Sequence, residues 1–224
     1  WNMSTDTCQE LPENWQQHVF TYCVCFAPDG RTMLNHRSCG VMFVRMGDWR
    51  ELHYLDNADV FIPMATFSKD GSLVAFGDVE GFVHVLDTRS WTKLFRFRGG
   101  FASVIDLRFS DDGSRLGAIG DGGSVFYAEN KRWLGVWDLK SGKRLAHWTM
   151  TKELEGGWFL SPQLDRVAVL EWGVGKVMGL DGEGLCSLEI PPDVHSTLPV
   201  SSGGNPFLVS PPWYESSRAV FSPD

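Results

Sequence analysis

The sequence has few features that point to chemistry. It contains no Gly-x-Ser-x-Gly elbow, no His-Glu-x-x-His pair and no P-loop, so the commonest signatures of serine hydrolases, zinc peptidases and nucleotide-binding enzymes are missing. Gly120-Asp121-Gly122-Gly123 lacks the lysine that phosphate cradling needs and reads as a turn. The six histidines, at 18, 36, 53, 84, 147 and 195, have no ligand spacing, and His84 and His147 fall inside strand-like segments, where a structural role is the expectation. Basic residues are few and dispersed. Twenty Lys and Arg face 28 Asp and Glu, giving a formal charge of −8, which excludes nucleic acid or an anionic membrane as a general partner. No apolar run of about 18 residues occurs, so no transmembrane helix is expected. No charged-then-apolar leader opens the chain, and a cytoplasmic location is expected. The five cysteines (Cys8, Cys23, Cys25, Cys39, Cys186) are too few and too odd for a disulfide scaffold. Cys23 and Cys25 share a strand face as small buried thiols, and Cys39 with His36 is too sparse to make a metal site. No metal and no cofactor is expected.

What the chain does contain is a repeated unit. Ala65 to Phe97 reads as four short strands, ATFS, LVAF, FVHVLD and KLFRF, divided by the turn signals Lys69–Ser72, Asp78–Gly81 and Thr88–Thr92. An isolated meander of this size cannot bury both faces, so copies must flank it. Its most diagnostic piece recurs as Phe26-Ala27-Pro28-Asp29-Gly30, Phe67-Ser68-Lys69-Asp70-Gly71, Phe109-Ser110-Asp111-Asp112-Gly113, Leu160-Ser161-Pro162 and Phe221-Ser222-Pro223-Asp224. The intervals are 41, 42, 51 and 61 residues. Four strands in a period of about 40–45 is the signature of a propeller blade, and the longer intervals imply insertions of roughly 9 and 19 residues.

With the single Trp137-Asp138 pair, and Leu86-Asp87 in the same place one unit earlier, this pattern resembles the WD-repeat β-propeller family over nearly all the chain after Val19. No Gly-His dipeptide precedes any blade, so the family's buried His–Ser/Thr–Asp–Trp hydrogen-bond set is not assigned, and the blades are expected to be degenerate. The fold expected is all-β: a propeller segment of about four four-stranded antiparallel blades, over 19–57, 60–98, 102–150 and 155–190, plus the first strand of a fifth over 218–224. Residues 1–18 read as a linker or the remnant of a preceding blade. The chain begins at Trp1 and stops inside a repeat turn, so it is expected to be part of a longer propeller, an incomplete ring with a bare blade face at each end. LVAF and RVAVL are continuously apolar, as strands covered on both faces must be.

Function is expected on loops. Two exceed a tight connection. Asp121–Trp133 carries Phe126, Tyr127 and Trp133 beside Glu129, Lys131 and Arg132; these are either partner anchors or aromatics of a long hairpin folded back on blade three. The 191–217 passage, a long proline-stiffened loop, carries Phe207, Trp213 and Tyr214, for a partner-binding or a passive role. Turn acids such as Asp29, Asp70, Asp111 and Asp112 are explained by side-chain-to-backbone bonds. The resemblance therefore implies a non-enzymatic scaffold for a protein or peptide partner, with no small-molecule substrate. The alternative is a propeller enzyme or small-ligand binder with its site at the central channel, which convergent acids or histidines on the inner strands would favour. A regulatory appendage of an enzyme lying outside this segment is a third reading.

Overall fold

The structure, a computed structural model, describes residues 24–37, 40–56, 62, 64–100, 103–121, 131–151, 158–171, 174–189, 198–202, 205–209 and 219–221. Within these residues there are strands and turns but no helix. Blade one comprises β1 (Val24–Phe26), β2 (Thr32–Arg37), β3 (Gly40–Arg45) and β4 (Arg50–Asp56). Blade two comprises β5 (Met64–Phe67), β6 (Leu73–Gly77), β7 (Phe82–Asp87) and β8 (Lys93–Arg98). Blade three comprises β9 (Ser103–Phe109), β10 (Arg115–Asp121), β11 (Lys131–Asp138) and β12 (Arg144–Thr151). Blade four comprises β13 (Trp158–Leu160), β14 (Arg166–Glu171), β15 (Val174–Gly179) and β16 (Gly184–Glu189). Each blade is a separate antiparallel meander in sequence order, as the turn residues predict, and the sheets do not close on one another.

Three apolar cores lie between blades rather than within them. Leu34, Val41 and Phe43 of blade one meet Val74, Phe76 and Leu86 of blade two. The other face of blade two, at Ala75, Val83, Val85 and Phe97, meets Val104, Leu107, Trp133 and Trp137 of blade three. The opposite face of blade three, at Ile119, Leu134 and Val136, meets Trp158, Leu160 and Val167 of blade four. Pairing in register puts alternate residues of each middle strand into different interfaces, which is why Val74, Ala75 and Phe76 are all buried. Each fully buried Val, Leu or Phe contributes about 1.5–3 kcal/mol. A glycine in β6 and another in β10 let the next blade approach. A Cβ on Gly77 would stand 2.3 Å from Val104, and one on Gly117 would stand 2.7 Å from Leu160.

The turns repeat as closely as the strands. Between first and second strands, Gly30, Gly71, Gly113 and Leu164 all adopt positive φ, at 65°, 72°, 70° and 53°. Leu164 explains why the turn signal is weak in blade four: an L residue there is strained, yet its side chain is fully buried beside Gly117 of blade three. Between third and fourth strands the left-handed position is held by Trp49, Trp91, Gly142 and Gly182. Three residues later, every fourth strand bulges. The register skips Leu52 in β4, Leu94 in β8, Leu145 in β12 and Leu185 in β16.

Two expectations need correction. A bare face at each end is not found. Met33, Met42 and Val44, on the side of blade one turned from blade two, are buried, as are Ala168 and Val177 on the side of blade four turned from blade three. Nor is 191–217 a loop throughout. β17 (Leu198–Ser202) and β18 (Asn205–Val209) form a hairpin within it, and β18 pairs with β19 (Ala219–Phe221) to make a three-stranded fifth sheet. The physical reason lies in Ser202-Gly203-Gly204-Asn205, a hairpin signal between two apolar stretches that Pro199 and Pro206 disguise. β17 is an edge strand, and β19 pairs only from Phe207 onward, so neither proline interrupts a ladder paired on both sides.

Candidate functional site

The first strands β1, β5 and β9 lie side by side, so residues they leave uncovered are the ones a central site would use. They expose mainly apolar surface. Phe26 is 55% exposed and Ile105, a residue skipped by the β9–β10 register, is 42% exposed. Beside Ile105 stands Asp106, whose carboxyl burial pushes above its ordinary range while the Arg108 charge pulls it back. Arg108 itself donates from Nη1 to the Leu160 carbonyl of blade four at 2.9 Å. One acid and one arginine already committed across an interface do not form an acid–base pair aimed at a substrate.

The histidines inside strands are structural. His84 in β7 is 3% exposed, and its Nε2 lies 3.1 Å from the Oδ2 of Asp78, itself 1% exposed. The other oxygen of Asp78 accepts from the backbone of Glu80 and Phe82, so this carboxylate closes the turn between β6 and β7. No hydroxyl or thiol nucleophile is described beside this pair. His147 in β12 donates from Nε2 to the Gly99 carbonyl at 2.8 Å, tying blade three to the strand connection that precedes it.

Turn acids work the same way. Ser68 and Ser72 hydrogen-bond Asp70, and Ser110 and Ser114 hydrogen-bond Asp112; these bonds hold Asp70 below its usual carboxylate range and bring Asp112 to about 2. Asp87 and Asp138 cap the following turn by accepting from Ser90 and Ser141, each backbone N–H at 2.7 Å. In blade one the polarity is reversed, with Arg45 at the equivalent place and bonded to Asp48 three residues on. Trp137, the partner of Asp138 in the Trp-Asp pair, is 3% exposed and stacks on Phe97 at 5.0 Å.

Of the residues offered as candidate partner anchors, Trp133 does not lie on a loop surface. It lies in β11, is 3% exposed, and its ring occupies the space beside Gly99, Gly100 and Gly120, where an added Cβ would stand 2.0–2.2 Å away. It is a core residue, as the folded-back alternative requires. Phe207 lies in β18. Phe126, Tyr127, Trp213 and Tyr214 lie outside the described residues. Sequence reasoning missed the outer rim. The bulged residues Leu52, Leu94, Leu145 and Leu185 are 36%, 45%, 46% and 55% exposed, a leucine offered to solvent at the same place in four blades. The readable signal was a leucine at a fixed offset after each third turn, in Arg-Glu-Leu, Thr-Lys-Leu, Lys-Arg-Leu and Glu-Gly-Leu.

These features define an all-β, propeller-like array of four-stranded blades stitched together by interblade cores. No family model matches the chain, and no curated protein matches it. Its fold is similar to that of the Kuenenia stuttgartiensis hydrazine synthase, with a TM-score of 0.61 and 16% identity over 85% of this chain. This chain spans 61% of that one, and at such low identity the likeness is one of fold. No helix among the described residues is long and apolar enough to cross a membrane.

Proposed function

We propose that this chain is a degenerate WD-repeat-like propeller module, non-enzymatic and cytoplasmic, that serves as a rigid platform for a protein or peptide partner. The observation that supports it most is how the side chains are allotted. The buried His–Asp pair and the turn acids with assigned partners are engaged in holding the backbone, while large apolar side chains such as Phe26, Ile105 and the four bulge leucines face solvent at fixed points of a stiff scaffold. Such a surface suits macromolecular contact better than bond-making chemistry. The test is quantitative affinity capture with the intact chain, comparing wild type with Phe126→Ala/Tyr127→Ala and with Trp213→Ala/Tyr214→Ala. At least one pair should lose a specific captured protein by about tenfold, the cost of one anchor residue. Capture indistinguishable from that of an unrelated bait would end the proposal. The channel-site alternative has Asp106 in its favour, and it would be preferred if Asp106→Asn removed a ligand-binding or catalytic signal while leaving capture unchanged.

A further inference from the structure

Blade two departs from its neighbours along the outer rim. Its last strand, Lys93-Leu94-Phe95-Arg96-Phe97-Arg98, carries three cations and no acid, whereas β4 sets Arg50 against Glu51 and Asp56, and β12 holds Arg144 alone. Antiparallel register sets Arg98 beside Phe82 and Arg96 beside His84. Phe95 and Phe97 turn inward to blade three, so the exposed Arg96 and Arg98 project on the opposite side, toward the half-buried ring of Phe82. The Arg96 Cζ lies 3.7 Å from that ring's centroid and the Arg98 Cζ 5.6 Å. The Phe82 ring face attracts the Arg96 guanidinium, and with the exposed Lys93 on the same strand this gives the edge a local cationic character on a chain whose overall charge is −8. The bulge sets Leu94, 45% exposed, at the margin of this patch.

We propose that this edge of blade two, formed by Lys93, Leu94, Arg96, Arg98 and Phe82, docks an acidic, extended peptide segment of a partner protein. Carboxylates of that segment meet Arg96 and Arg98, and an apolar residue of it covers Leu94. The proposal rests on the protein-binding reading above and gives it a place and a partner chemistry. Charge complementarity chooses the occupant: on an acidic molecule a local cationic patch steers acidic segments to one point and sets their register. The bulge at Leu94 interrupts the β8 edge, so recognition falls to side chains rather than to an added strand. Three cations are too few to neutralise a nucleic-acid backbone against the surrounding negative field.

The experiment uses a fluorescent synthetic peptide alternating Glu and Leu, with a Lys-and-Leu counterpart, in anisotropy titrations against the full chain. The acidic peptide should bind and the basic one should not. Arg96→Glu/Arg98→Glu should weaken binding by about tenfold or more, as expected for two reversed rim charges, while Lys143→Glu/Arg144→Glu on blade three should leave it unchanged. Absence of binding to wild type, equal loss in both variants, or equal competition by a single-stranded oligonucleotide would overturn the proposal. Should Arg96→Glu/Arg98→Glu fail to melt cooperatively, photo-crosslinking of the peptide to wild type decides: adducts on 93–98 uphold the site, and adducts elsewhere overturn it. Failure here while the loop variants still lose their captured protein removes only the blade-two site; failure of both removes the platform reading.

Discussion

Blade two meets blade one and blade three by opposite solutions at one backbone position. On the first side its left-handed turn residue is Trp91, whose ring stacks on His53 at 5.2 Å and packs against Phe43 at 4.4 Å, both on blade one. On the second side the same turn position, in blade three, is Gly142. A Cβ there would come within 3.3 Å of Phe95, the blade-two residue equivalent to His53. One interface puts its bulk on the turn, and the other puts it on the strand the turn faces. The backbone is constant, and what changes is which side supplies the aromatic ring that reaches the other blade: the turn in one interface, the strand in the next. A repeat governed in this way can drift residue by residue while its blades still fit, which accounts for regular geometry beneath a faint sequence period.

The largest effect expected from disturbing this exchange is at Leu164, where blade four fills with an aliphatic side chain a left-handed site that is glycine in the other three blades. Leu164→Ala should cost about 3 kcal/mol, because the side chain is fully buried and Gly117 beneath it cannot fill the space. Leu164→Gly should be no worse than Leu164→Ala, since relief of the strained φ of 53° offsets the loss of the methyl group. Urea denaturation ranks the two, and a glycine variant clearly less stable than the alanine variant would show that strain plays no part there.

A smaller effect, with a sharper reading, comes from converting one interface into the other. Trp91→Gly removes a half-buried ring but also relieves a φ of 57°, and the net loss should be about 2 kcal/mol. Adding His53→Phe should recover about 1 kcal/mol. It restores bulk on the strand side, as Phe95 does, and removes His53 Nε2, a buried nitrogen with no hydrogen-bond partner among the described residues. Strict additivity of the two changes in a double-mutant cycle would show that the turn and strand positions do not compensate for one another.

How much of this was legible in sequence depends on how far each feature reaches. Strands and turns are local, and Phe67-Ser68-Lys69-Asp70-Gly71 announced its turn because glycine supplies the positive φ and the serine and aspartate close it. Trp91 and Leu164 concealed theirs, since nothing local explains a bulky residue at positive φ; the reasons, His53 and Gly117, lie on the neighbouring blade. Trp133 is ambiguous in sequence for the same cause. Beside Tyr127 and Arg132 it looks like a surface anchor, but its place is cut by Gly99 and Gly100 some thirty residues earlier and by Gly120. The hairpin over 198–209 was written in its Gly-Gly turn and overruled by prolines. The candidate surface was legible only in part: the basic character of β8 is plain in the string, but its convergence on Phe82 requires the register.

The smallest expected effect separates the first-to-second-strand turn of blade three from that of blade one. Ser110 donates to Asp112, and its own oxygen receives the Arg115 N–H at 2.9 Å, whereas blade one has Ala27 in its place and, among the described residues, Asp29 takes the Arg31 N–H at 2.8 Å. The Ser110 bond is the leading cause of an Asp112 carboxyl held at about 2, below the ordinary value of about 3.9. A folded-state value lowered in this way stabilises above the unfolded value, and the contribution is lost as the pH falls through about 2. Ser110→Ala should therefore lower stability at pH 6 by about 1 kcal/mol for the lost buried hydrogen bonds, and by less at pH 2.5, where Asp112 is losing its charge. Asp112 is almost wholly exposed, so solvent screening keeps the pH-dependent share of that loss small. Ala27→Ser should act in the opposite sense in blade one, deepening acid sensitivity as it supplies the missing donor. Equal losses for Ser110→Ala at both pH values would mean that the hydroxyl serves only the backbone, and that the two turns differ in packing but not in charge.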